Sequence, residues 1–181
     1  DVYTMTYPRT VHIQGIEFKI NTYPIFCQDS VVTSCAQASI ISMSKYLRSV
    51  CGIAQLRLAE INNSYAFERK KIYPTEGLGI RQMLEIFFKN KWNITCDNIP
   101  ARHEGAKENK YKQIKENIDA NIESALPVFI SVTYNKERTT QGRIAINHIL
   151  QIIGHTTEDE KRYVILDESG VLTKEFTGAR N

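Results

Sequence analysis

Between Cys35 and Val50 the chain carries an apolar stripe too wide for a surface helix. Ala36, Ile40, Met43, Leu47 and Val50 recur at steps of three and four, and Ala38 and Ile41 broaden the stripe. Such a helix has to be largely buried, so the remaining elements must pack around it. Ser34 is a good N-cap, and Gln37 three residues later completes a capping box. Cys35 then opens the helix at the positive end of its dipole, where a thiolate is favoured over a thiol. A cysteine there reads either as a small buried apolar residue or as a nucleophile on a rigid mount. Cys51-Gly52 suits the C-terminal stop. That places Cys51 at the far end of the helix.

Before this helix, Val11 to Ile20 reads as an edge hairpin turning at Gln14-Gly15, with His12 as a solvent-facing strand residue. Tyr23-Pro24 breaks the pattern and leads into a polar loop that contains Gln28. Beyond it, Ile53 to Phe67 reads as helical, and Ile80 to Lys89 as a clear amphipathic helix. Trp92 to Cys96 reads as a short strand and Pro100 to Lys110 as a polar loop, with His103 on its surface. Ile114 to Leu126 is a further helix, ended by Pro127, and Val128 to Thr133 a buried strand. Ile144 to Ile153 and Arg162 to Asp167 are strands joined by the polar connection from Gly154 to Lys161. Val171 to Phe176 is a last short strand.

The two late strands carry a geometric test. A hairpin closed symmetrically pairs Ile153 with Arg162 and sets His148 directly opposite Asp167. Cross-strand Cβ atoms are then about 4.5–5.5 Å apart. A carboxylate at that distance fixes the tautomer and orientation of the imidazole. His148 lies on an apolar face between Ile146 and Leu150, where a lone histidine is usually a core residue; an acid opposite it changes that reading. His155 and Asp159 are the rival base and acid, both expected in the exposed connection. Cys35, His148 and Asp167 together supply nucleophile, base and orienting acid. Gln28 can donate to an oxyanion beside the Cys35 backbone N–H, or be a simple loop residue.

The order of these parts resembles the papain-like cysteine peptidase superfamily. Its nearest likeness is to the bacterial double-glycine leader (bacteriocin-processing) peptidases. The matching stretches run from Gln28 to Leu47, Gly77 to Phe88, Ile118 to Val132 and His148 to Asp167. The resemblance implies an α+β papain-like fold, a helical part with the Cys helix packed on a C-terminal antiparallel sheet. It implies Cys35 as nucleophile, His148 as base, Asp167 as orienting acid and Gln28 as oxyanion donor. It also implies a peptide or protein substrate. Three departures stand out. Gln28 precedes Cys35 by seven positions, one more than the family's usual six. Ala36 and Glu168 stand where the double-glycine branch usually has Gly and Pro.

The 181 residues are expected to form one domain, 1–181, excised from a longer chain, and the sequence leaves the compartment open between cytoplasmic and secreted. A formal charge of +3, with Lys and Glu interleaved, argues against a nucleic-acid partner. No apolar run is long enough to cross a bilayer. The four cysteines, Cys27, Cys35, Cys51 and Cys96, lack metal-ligand spacing, so no metal or other cofactor is expected. The same triad could also serve transglutaminase, deamidase or isopeptidase chemistry, or persist in a catalytically dead peptide-binding module.

Overall fold

The structure, a computed structural model, describes residues 1–26, 35–65, 78–94, 104–135, 145–158 and 162–166. The architecture is α+β. In chain order it comprises β1 (Val2–Thr4), β2 (Tyr7–Ile13), β3 (Ile16–Thr22), α1 (Cys35–Cys51), α2 (Leu58–Tyr65), α3 (Ile80–Lys89), α4 (Glu104–Glu123), β4 (Val128–Asn135), β5 (Ala145–Thr156) and β6 (Tyr163–Leu166). No described helix is long and apolar enough to cross a membrane.

β5 is the axis of a four-stranded antiparallel sheet. β4 pairs with it from Ala145 to Ile152, β1 from Gly154 to Thr156, and β6 from Gln151 to His155. Since β6 overlaps both of the others, β4 and β1 follow one another along one edge of β5 and β6 takes the other. The expected C-terminal sheet is thus completed by the first strand of the chain. β2 and β3 form a separate hairpin with Ile13 opposite Ile16. Gln14 (φ 51°) and Gly15 (φ 82°) both adopt the left-handed conformation that a two-residue turn of this hand requires. His12 is exposed, as its place on the hairpin leads one to expect.

α1 is buried along its whole first half, polar residues included. Ser42 and Ser44 bond to backbone groups, one before the helix and one within it. Ser42 Oγ accepts from the Phe26 N–H at 2.9 Å, and Ser44 Oγ donates to the Ile41 carbonyl at 2.9 Å. The helix stops at Gly52, whose φ of 69° only glycine adopts cheaply and whose N–H returns to the Arg48 carbonyl. Ile40, Met43 and Leu47 enter the core with Ile61, Ile86, Phe87 and Ile122. Fully burying one such side chain contributes about 1.5–3 kcal/mol.

Several expectations are corrected. α2 begins at Leu58, five residues later than the apolar pattern implied, and α4 begins at Glu104, inside the stretch expected to be a loop. Trp92–Ile94 is not a strand. β5 does not end at Ile153 but runs on through Gly154 and His155 to Thr156. The register of β5 and β6 is also not the symmetric one. Gln151 faces Leu166 and Ile152 faces Ile165, and after a bulge between Ile152 and Gly154, His155 faces Tyr163. Ile153 therefore does not face Arg162.

Tyr46, stacked on Tyr23 with centroids 5.0 Å apart, has its phenol pushed up to about 12, mainly by burial. Burial and the Asp119 carboxylate, which accepts from its hydroxyl at 2.8 Å, push Tyr163 up as well. Both rings stay neutral in the folded chain when a free tyrosine, with a pKa near 10, would ionise. The stability they confer is whole below about pH 10 and is lost as pH rises further. Urea midpoints across pH 9–11 should fall less steeply in Tyr46→Phe than in the parent; equal slopes would contradict this.

Candidate active site

Cys35 is the first residue of α1 and is 5% exposed. The burial that mounts it also opposes its ionisation, because a thiolate loses hydration there. The surroundings reverse that effect. Burial pushes the thiol up, but a hydrogen bond with the His148 side chain, backbone hydrogen bonds from Ile149 and Ala36, and the His148 charge pull it down. The net result lies below the ordinary thiol range. Only a donor stabilises a thiolate, so the two backbone groups act through their N–H. Ala36 offers one of the unpaired donors that open any helix. Ile149 offers the N–H next along β5 from the histidine.

His148 is half-buried on β5, with Val132 of β4 opposite it. The sequence candidates Cys35 and His148 are thus in contact, although they come from different halves of the chain. Gln28 and Asp167 lie outside the described residues, as do Cys27, Ser34, Cys96, His103, Asp159 and the expected strand from Val171 to Phe176. The Ile153–Arg162 register from which the His148–Asp167 pairing was inferred is not the observed one. No family model and no curated protein matches this chain.

The rival base has another setting. His155 is not in an exposed connection but 6% exposed on β5, beside β1. Its Nδ1 lies 2.7 Å from the Thr156 carbonyl oxygen, its Nε2 lies 3.8 Å from Glu123, and Tyr3 packs on its ring. These contacts tie it to β1 and α4. Among the described residues no group of three or more His, Cys, Asp or Glu could hold a metal ion. Cys51 is exposed and sits sixteen residues along α1, about 24 Å from Cys35 at 1.5 Å per residue. A cavity of about 360 Å³ lined by Ile53, Ala54, Asn90 and Trp92 lies at the end of α3 and includes neither Cys35 nor His148.

One polar residue of this region escaped the sequence reading. Gln151, on β5, is completely buried. Its Oε1 accepts from the Tyr23 hydroxyl at 2.8 Å, and its Nε2 donates to the Ser39 carbonyl of α1 at 3.1 Å. The available signal was a lone amide inside the apolar run from Ile149 to Ile153. A buried amide needs partners on both its ends.

Proposed function

We propose that this chain is a single papain-like cysteine peptidase domain, 1–181, acting on a peptide or protein substrate. The observation that carries the reading is the hydrogen-bonded contact between Cys35 and His148, with the thiol held below its ordinary range. A thiol lowered in spite of burial, at a helix N-terminus and against an imidazole, is how a nucleophilic cysteine is activated. A structural cysteine in an apolar core would be shifted the other way.

In this reading the Cys35 thiolate attacks the scissile carbonyl carbon, forming a C–S bond. The resulting oxyanion lies near the N-terminus of α1, with Gln28 as the side-chain donor. The His148 imidazolium gives its proton to the leaving amine as the C–N bond breaks, leaving a thioester. Water then gives a proton to His148 and its oxygen to the acyl carbon. Breaking the C–S bond returns the thiolate and the imidazolium. Asp167 is the acid assigned to orient His148.

The test is incubation with a mixed-sequence peptide library, read by mass spectrometry, for wild type and Cys35→Ala. New fragments with wild type alone are expected. A gain of one mass unit at glutamine would move the reading to deamidation, and a crosslinked product to acyl transfer. The same fragments from Cys35→Ala would exclude Cys35 as nucleophile.

A further inference from the structure

Besides their shared apolar core, α1 and β5 are joined by polar contacts at two points. At the first, Cys35 bonds to the His148 side chain and the Ile149 backbone. At the second, one turn further along α1, the Ser39 carbonyl accepts from Gln151 Nε2 at 3.1 Å. On β5 the two points are three residues apart, about 10 Å at the rise of a strand. Apolar packing with a single polar contact still lets a helix shift and turn slightly about that contact. Two contacts fix both motions. The second is itself held in place, because the Tyr23 hydroxyl donates to Gln151 Oε1 at 2.8 Å and so sets which end of the amide faces α1. All three partners are buried: Tyr23 and Gln151 by their side chains, and Ser39 as a residue with no exposed surface.

We infer that Gln151 is a positioning residue for the Cys35–His148 pair: by tying Ser39 of α1 to β5 and being tied in turn by Tyr23, it holds thiol and imidazole within hydrogen-bonding distance. The inference rests on the peptidase reading, since a pair that does no chemistry has nothing to gain from exact spacing. It adds to that reading a residue that touches neither the nucleophile nor the base. The physical basis is that a buried amide with both ends bonded is directional, whereas the apolar residues around it would accept small shifts. A displacement of about 1 Å at a reacting pair can cost a hundredfold in rate.

The experiment is the pH profile of iodoacetamide labelling at Cys35, followed by peptide mass spectrometry and read beside urea unfolding. Four proteins are compared: wild type, Gln151→Met, Tyr23→Phe and the double variant. Methionine matches glutamine in length but makes neither hydrogen bond. Gln151→Met should raise the apparent thiol pKa by about one unit, which lowers labelling about tenfold at pH values below the wild-type thiol pKa. Tyr23→Phe, which loses one hydroxyl and keeps the bond to Ser39, should do the same more weakly. The double variant separates positioning from stability. Removing both partners of the Tyr23–Gln151 bond leaves no stranded hydroxyl, so the unfolding midpoint should recover relative to Gln151→Met. The labelling defect should persist, because Ser39 is still untied.

A folded Gln151→Met whose labelling profile superimposes on that of wild type would overturn the inference. So would a double variant in which reactivity recovers together with stability. If Gln151→Met does not fold, Tyr23→Phe decides by the same reading. If wild type itself shows no labelling below the free-thiol range, the peptidase reading has failed, and that is visible before any Gln151 variant is compared.

Discussion

His148→Ala is expected to abolish the reactivity of Cys35 below about pH 8, the lower edge of the range of a free thiol with a pKa near 8.5. The argument is one of opposing effects on a single sulfur. Burial alone would push the thiol up. Two of the four influences that pull it down, a hydrogen bond and a charge, come from His148. Taking both away leaves the N–H groups of Ile149 and Ala36 against an unchanged burial. The thiol should then rise to or above its ordinary value. Iodoacetamide reacts with the thiolate, so the labelling plateau of wild type should extend to lower pH than that of the variant. At a pH below both thiol pKa values, each unit between wild type and variant is a tenfold difference in labelling rate. Cys51, exposed at the other end of α1, is read in the same digest and reports the reagent. A variant that keeps the plateau would mean that the helix terminus alone holds the thiolate. His148 would then lose its assigned role.

What could be read from the sequence depended on how far apart the deciding residues lie. The span of α3, Ile80 to Lys89, is the expected one, because apolar residues recurring at helical spacing declare such a helix without help from elsewhere. α1 was legible for the same reason, as was the β2–β3 hairpin from its Gln14-Gly15 turn. The early start of α4 was not. Residues 104–113 are mostly charged or polar and carry no apolar stripe, so periodicity is silent there even though Glu, Lys and Ala are good helix formers. Cys35 and His148 were found by residue type and element position, which survive errors of register. The pairing of His148 with Asp167 depended on register itself. β5 runs three residues past its expected end, so the hairpin closes beyond Ile153, and the bulge between Ile152 and Gly154 then shifts the pairing back by one; symmetric closure at Ile153 anticipates neither.

The misplacement of His155 has a related cause. Gly154 reads locally as a breaker, so the strand was expected to end there. In the fold it is instead a point where β1 and β5 approach closely. A Cβ at residue 154 would lie 2.1 Å from the Tyr3 carbonyl oxygen and 2.9 Å from the Thr4 Cα, both of them backbone atoms. The glycine marks a contact with residues 150 positions earlier, and nothing near it in sequence announces them.

Gly154→Ala is therefore expected to be strongly destabilising, although it adds one methyl group. The atoms it meets belong to a paired strand and cannot rotate away as a flexible side chain would. Overpacking a well-fitted site commonly costs about 1–3 kcal/mol. Here the strain can be relieved only by lifting β1 from β5. That would break the Val2–Thr156, Tyr3–His155 and Thr4–Gly154 pairings and the bond from the Met5 N–H to the Ile153 carbonyl. It would also withdraw Met5, which is buried in the core, and uncover the ring of His155. Urea unfolding should show a loss near the upper end of that range. Hydrogen exchange should show the amides of Tyr3, Thr4 and Met5 losing protection before those of α1. Cys35 labelling in the folded variant should keep its wild-type pH profile, because His148 pairs with β4, on a stretch of β5 that β1 does not reach. Full protection of the β1 amides at unchanged stability would show that the two strands can separate enough to admit a methyl group. In that case the glycine would owe its place to the bulge beside it rather than to the strand packed against it.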